Sequence, residues 1–218
     1  MNNKLSKRLL AIAEMIEDGK VVYDVGCDHA YLDIYLTLHR NNITCYAIDV
    51  RPSVIKIAKE NIKNAGLTIP VILNNGLENI EINDNSTVVL AGMGTRTILK
   101  IIQNKNIPEM IIQSNDDLFL LRKELMNAGY KIIEEKLIFE FGYYYVFIKV
   151  ILENKMEYSY EELLVGPILH QKRDCLFNGY LHSQLEKYNK MLNDIPIDFI
   201  KKREPIEKNI NIILKNLK

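Results

Sequence analysis

The chain has 218 residues, and its 28 Lys and Arg balance 28 Asp and Glu, so the formal charge at neutral pH is zero. That balance excludes a protein drawn to nucleic acid by net charge alone, though not a local basic patch. With 48% hydrophobic residues but no apolar run near the roughly 20 residues a bilayer requires, it also excludes a membrane-spanning helix and fits one ordinary α/β domain plus a small appendage.

Cys27, Cys45 and Cys175 are odd in number and far apart, and no C-x-x-C pair occurs. Neither a zinc site nor a disulfide framework is expected, so no metal is assigned. A reducing, cytoplasmic setting and a monomer are the expectations, and the N-terminus lacks a hydrophobic signal core.

Residues 5–16 place apolar side chains at helical spacing, with Lys4, Lys7 and Arg8 on the other side. Residues 21–25 are a short apolar strand, followed by an acidic turn at Gly26 and a helix over 31–39. A strand over 44–49 ends in Asp49, and Pro52 opens the next helix, which runs to 65. Strands over 70–74, 87–91 and 110–113 follow, with helices over 95–103 and 118–128. Alternation of this kind predicts a parallel, doubly wound sheet. The rhythm then changes: 131–141 and 144–152 are two β-rich runs joined at Gly142, hence a hairpin that makes the last strand antiparallel. The expected fold class is α/β, a Rossmann-like class I methyltransferase sheet with a C-terminal helical extension. The expected domains are 1–152 and 153–218. In the second, Gly166-Pro167 breaks a first helix, a continuous apolar stripe runs over 168–192, and another runs over 206–217. Two or three amphipathic helices, a helical hairpin, are predicted there.

Ligands of an open α/β sheet sit beyond the carboxyl ends of the strands. The turn V-G-C-D-H after Asp24 has one glycine where a dinucleotide fingerprint needs three, and it carries Asp24 and Asp28. Two carboxylates repel a pyrophosphate and suit a cationic ligand; S-adenosylmethionine, with its ammonium and sulfonium, fits. Asp49, about 20 residues past Gly26, is placed to accept hydrogen bonds from ribose hydroxyls; a helix cap or surface role is the alternative. Asn75, with Gly76, can meet an adenine edge or simply make a turn. Gly92 and Met93 lie after the fourth strand, where glycine allows close backbone approach. His29 reads as a structural or cofactor-side group.

L-S-K-R-L at 5–9, D-V-G-C-D-H-A-Y-L at 24–32, A-G-M-G at 91–94 and Q-S-N at 113–115 together resemble the bacterial tRNA (adenine-22-N1)-methyltransferases. The resemblance implies a class I methyltransferase domain, S-adenosylmethionine as donor, tRNA as partner and a helical C-terminal extension. Three residues depart from the family pattern: Asn75 replaces an acid, Thr95 a glycine, and Ser114 a proline, the last expected to loosen the target-base loop. Within this reading Asp28 is the candidate catalytic acceptor for the exocyclic amine of the target adenine, or else a ligand of the methionine ammonium or a helix cap. Asn115 is expected to orient the base. Lys7, Arg8, Lys201, Lys202 and Arg203 are the candidate contacts to tRNA phosphates, against the ordinary reading of solvated charges.

Overall fold

The computed structural model describes residues 5–153 and 156–217. Lys4, grouped with Lys7 and Arg8 on the basic side of the first helix, lies outside the described residues. The elements in order are α1 (Lys7–Met15), β1 (Val21–Val25), α2 (Tyr31–His39), β2 (Thr44–Asp49), α3 (Pro52–Asn64), β3 (Val71–Leu73), β4 (Ser86–Met93) and α4 (Thr95–Ile102). Then come β5 (Glu109–Ser114), α5 (Leu118–Asn127), β6 (Tyr130–Glu140), β7 (Tyr143–Leu152), α6 (Tyr160–Val165), α7 (Pro167–Lys172), α8 (Phe177–Asn193) and α9 (Ile200–Asn216).

The strands form one sheet in the order β3-β2-β1-β4-β5-β7-β6. β1 to β5 are parallel, and β7 runs antiparallel to both of its neighbours. The hairpin therefore enters the sheet second strand first. The side chains explain the order. β7 is buried without interruption from Val146 to Val150, as a strand with neighbours on both edges must be. β6 alternates buried and exposed positions and takes the edge. No helix among the described residues is long and apolar enough to cross a membrane.

Alternation along the strands builds two apolar layers. Val22, Ala47, Val89, Ile111 and Phe147 face α1, α2 and α3. Tyr23, Ile48, Leu90, Ile112 and Ile148 face α4, α5 and the C-terminal helices. Asp24 and Asp49 share the parity of Val22 and Ala47, so both carboxylates belong to the α1–α3 face.

Two expectations change. β4 continues through Gly92 to Met93, because Met93 pairs with Ser114 across a bulge at Ala91/Met93. The stripe over 168–192 is two helices: α7 stops at Lys172, Arg173 turns left-handed (φ 43°), and Asp174 Oδ1 accepts the Leu176 N–H at 2.9 Å. That side-chain turn competes with continued helix. Among the described residues the extension thus contains four helices, with α8 packed on α9 as the predicted hairpin.

The first two of these helices are fastened to the sheet by a buried ion pair. Arg122 of α5 and Glu135 of β6 are both 0% exposed at their side chains, with Arg122 Nη2 2.8 Å from Glu135 Oε1. Arg122 Nη1 donates to the carbonyls of Leu163 and Leu164 at the end of α6, and Glu135 Oε2 accepts the N–H groups of Ile168 and Leu169 at the start of α7. Gly166 between them has φ 96°, and a Cβ there would lie 2.7 Å from Glu135 Oε2, so no larger residue fits. Removing one partner leaves a buried charge unpaired. Glu135→Ala is expected to lower unfolding free energy by about 3–5 kcal/mol in urea denaturation; a loss below about 1 kcal/mol would show that α6 and α7 are held some other way.

Candidate active site

The strand order reverses between β1 and β4, and the cleft at their carboxyl ends is where an open α/β sheet binds its ligand. A cavity of about 1130 Å³ lies there, lined by Asp24, Gly26, Asp28, His29, Asp49, Asn75, Gly76, Gly92 and Met93. All the predicted cofactor-side residues thus converge on one space. Arg8 reaches it as well, whereas Asn115, Lys7, Lys201, Lys202 and Arg203 are not among its lining residues.

The acidic turn is shaped by backbone bonds. The N–H groups of Gly26 and Cys27 both donate to the Ile48 carbonyl, at 2.8 and 3.0 Å, and draw the turn onto β2. Gly26 (φ 83°), Asp28 (φ 49°) and Ala30 (φ 57°) alternate in left-handed backbone. Only glycine takes that region freely, so Asp28 and Ala30 each cost about 1 kcal/mol. A Cβ on Gly26 would also lie 2.5 Å from Met93 Cε, so the turn and the β4 loop approach closely at this point.

Charge is distributed unevenly around the turn. Burial by itself raises the Asp49 carboxyl, but the Arg51 side chain, its backbone N–H and the Asp28 N–H outweigh burial and hold it below the usual carboxylate range. Arg51 Nε and Nη2 each donate to Asp49, both at 3.0 Å. Arg51 Nη2 also stands 3.8 Å from Asp28 Oδ1, and His29 Nε2 is 3.5 Å from Asp28 Oδ2. The Asp28 side chain is 62% exposed, so it can meet an incoming group. Asp24 is the opposite case: burial first, then the neighbouring carboxylates, push it up to about 6.

The far wall is a hydrogen-bonded lattice. Gly92 N–H donates to Gln113 Oε1 at 3.0 Å, and Asn115 Nδ2 donates to the Gly92 carbonyl at 2.7 Å while its Oδ1 accepts from Gln113 Nε2 at 3.1 Å. The Asn115 amide is therefore spent on the loop that carries Gly92, and Gln113 is the residue of that segment facing the cavity. Two departures from the family pattern meet here. Thr95 Oγ1 and Ser114 Oγ lie 2.8 Å apart, and both segments bind Asp116, through Thr95 N–H at 2.7 Å and Ser114 Oγ at 3.1 Å. The loop expected to loosen at Ser114 is instead tied, because the Ser114 hydroxyl is partnered by the Thr95 hydroxyl. Asn75 Nδ2 donates to Glu78 Oε1 in a very short contact.

Some cavity residues escape sequence reasoning. Arg96 and Lys100, four apart on α4, line it, as do Arg51 and Lys105. The spacing of four was the available signal, since it places both cations on one helix face. Among the predicted tRNA contacts, Lys7 N–H donates to Glu140 at 3.1 Å, and Arg8 pairs with Glu140 at 3.3 Å and covers the Tyr145 ring, which docks α1 on the hairpin. Arg203 Nη1 donates to the Leu192 and Ile195 carbonyls at 2.9 and 2.6 Å and closes the end of α8. Lys201 and Lys202 are exposed.

The sequence model of a methyltransferase domain matches residues 5–148. Over 187 residues, 80% of this chain and 78% of the relative, the chain is 30% identical to the tRNA (adenine(22)-N(1))-methyltransferase of Bacillus subtilis. The chain belongs to the tRNA (adenine-22-N1)-methyltransferase family. Among solved members, M. capricolum TrmK in complex with S-adenosyl-homocysteine is 32% identical with TM-score 0.85, covering 98% of this chain and 97% of its own. A Streptococcus pneumoniae protein in complex with S-adenosyl-L-methionine is 29% identical with TM-score 0.87, covering 99% of this chain and 100% of its own. The shared architecture thus includes the C-terminal helices.

In this methyltransferase the Thr95 and Ser114 hydroxyls lie in contact. Thr95→Ala and Ser114→Ala are each expected to cost about 1 kcal/mol, and the double variant less than their sum. Urea denaturation of the four proteins checks this; strict additivity would mean the hydroxyls do not interact.

Proposed function

We propose that this family member transfers a methyl group from S-adenosylmethionine to N1 of adenine 22 of tRNA, in the cytoplasm. The observation that carries the reading is the convergence of the acidic single-glycine turn, Asp49, Asn75 and the Gly92–Met93 loop on one cavity. At about 1130 Å³ it exceeds the roughly 300–1,000 Å³ typical of a small-molecule site, which leaves room for a base beside the donor.

The residues present fit the donor. Asp24 and the turn at Gly26 offer negative charge and backbone to its amino-acid end, Asp49 offers two acceptors to a ribose once Arg51 yields them, and Asn75 offers an amide to an adenine edge. When bound, S-adenosylmethionine supplies the methyl group as a sulfonium electrophile. The protein has only to align donor and acceptor and exclude water. N1 of adenine carries its own lone pair, so no base is needed to create the nucleophile. Pairing blocks N1, so the base enters unpaired or extruded. Methylation makes the ring cationic and its exocyclic amine more acidic. Asp28, on the cavity wall with an exposed carboxylate, is the group we assign to accept from that amine. Asn115 acts one step back, by holding the Gly92 loop against which the base is placed.

Residues 1–152 make the catalytic unit in this proposal, and 153–218 hold tRNA by shape and phosphate contact. Arg96, Lys100 and Arg8 grip the backbone beside the cavity, with Lys201 and Lys202 farther out. Arg203 is left to its structural task, and Lys7 contributes only its side-chain charge.

The first test incubates the protein with S-adenosylmethionine and unmodified tRNA and looks for N1-methyladenosine by mass spectrometry of the digest. Modification is expected, and it should vanish when adenine 22 is replaced by guanine. Persistence in the replaced tRNA would overturn the position. Asp28→Ala is expected to lower kcat by about 10²-fold with donor Kd within about threefold; an unchanged kcat removes Asp28 from the chemistry. Lys201→Glu with Lys202→Glu is expected to raise KM for tRNA about tenfold at low salt, an effect that fades as salt screens it. An unchanged KM would take the tail out of tRNA binding.

A further inference from the structure

Asp33 is the one charged-type side chain of α2 that faces the sheet, and it is 0% exposed. Its neighbours along the helix, Leu32, Ile34 and Leu36, belong to the apolar layer on the α1–α3 face. Among the described residues neither of its carboxyl oxygens has a hydrogen-bond partner. The carboxyl it faces is Asp24, itself buried, whose side chain points to the same face from β1 and whose charge acts on Asp33. The remaining titratable groups that face the pair are Cys27 and Asp28 from the turn, and Cys45 and Asp49 from β2. None of these is a cation, and Arg51, the cation at hand, is engaged by Asp49.

Two ionised carboxylates cannot share such a site, since each is desolvated and each repels the other. Two neutral ones would leave Asp24 without the charge a cationic ligand requires. One proton between them satisfies both conditions. We propose that Asp33 is a positioning residue held as a neutral acid, whose carboxyl proton is donated to the Asp24 carboxylate and fixes it in the orientation that takes the positively charged end of the donor. This rests on the reading that the cavity binds S-adenosylmethionine. The pair then presents one negative charge to the cavity. Burial first, and the Asp24 charge second, drive Asp33 well above the ordinary carboxylate range.

The pH dependence has a definite sign. Unfolded Asp33 titrates as an ordinary carboxyl, whereas the folded group keeps its proton to higher pH. Its contribution to stability is complete below about pH 4 and is lost as pH rises toward the folded pKa. Asp33→Asn keeps a donor toward Asp24 without a titrating proton, so it escapes that loss.

The experiment uses the full ligand-free chain. Carbon-13 NMR of the aspartate carboxyls at pH 7 is expected to show one protonated group that Asp33→Asn removes. The melting temperature of Asp33→Asn is expected to gain on wild type by about 5 °C or more between pH 5 and pH 7. With S-adenosylmethionine as probe, Asp33→Asn should bind within about threefold of wild type, and Asp33→Ala about tenfold more weakly, because Asp24 loses a charge-assisted partner. A spectrum with every aspartate ionised at pH 7, or melting curves that stay parallel, overturns the shared proton. Wild-type affinity in Asp33→Ala overturns the positioning role. If Asp33→Ala does not fold, the NMR and melting comparison of Asp33→Asn still decides. If wild type itself binds no S-adenosylmethionine, the functional reading falls, while the two ligand-free measurements still judge the proton.

Discussion

The relation between the catalytic cleft and the helical extension depends on one buried ion pair. Arg122 and Glu135 sit beneath the junction of α6 and α7; they bond each other on the sheet side, and each bonds the backbone of the extension. Burying two charges is expensive, and the attraction between them repays this only when the remaining donors and acceptors are also filled. Here the helix ends fill Arg122 Nη1 and Glu135 Oε2, while among the described residues Arg122 Nη2 has only its ion pair with Glu135. The last carbonyls of α6 face the guanidinium and the first N–H groups of α7 face the carboxylate, the arrangement each helix dipole favours. Tyr180 of α8 packs over the same pair and its hydroxyl is raised by that burial. The joint therefore fixes where α8 and α9 leave the sheet.

The cleft is built by a different economy. Its walls are tight turns and polar loops, not packed side chains. Asp28 and Ala30 accept left-handed backbone, and Gly92, Gln113, Asn115, Thr95, Ser114 and Asp116 form a continuous hydrogen-bonded wall. A wall of that kind holds its shape while leaving the cavity face open. Within it Thr95 and Ser114 each supply the hydroxyl that the other bonds.

The negative side of the cleft is graded. Asp49 is held ionised by Arg51, Asp28 is exposed, and Asp24 is buried against Asp33. Three carboxylates that look equivalent in the string D-V-G-C-D and at Asp49 thus occupy three environments. Asp24 and Asp49 are both buried on the α1–α3 face, but only Asp49 has a cation bonded to it, which is why Asp24 calls for a neighbour that stays neutral.

Most of the fold was legible in the amino-acid sequence. Strand and helix alternation through residue 128, the hairpin after it and the placement of the ligand turn follow from periodicity, from glycine and proline punctuation, and from the rule that sheet ligands sit at carboxyl strand ends. Those signals are local, so a single chain carries them. The nine residues singled out at the strand ends all line the cavity, because strand ends are recognisable by their turns, whereas Arg51, Arg96, Lys100 and Lys105 were not marked. Tertiary structure alone decided the rest. That β7 lies inside β6, that Asn115 supports a loop, that Arg203 closes α8 and that Asp33 meets Asp24 are all contacts between residues distant in sequence or on different elements. Side-chain type announces what a group can bond to, and only packing determines which partner stands within reach.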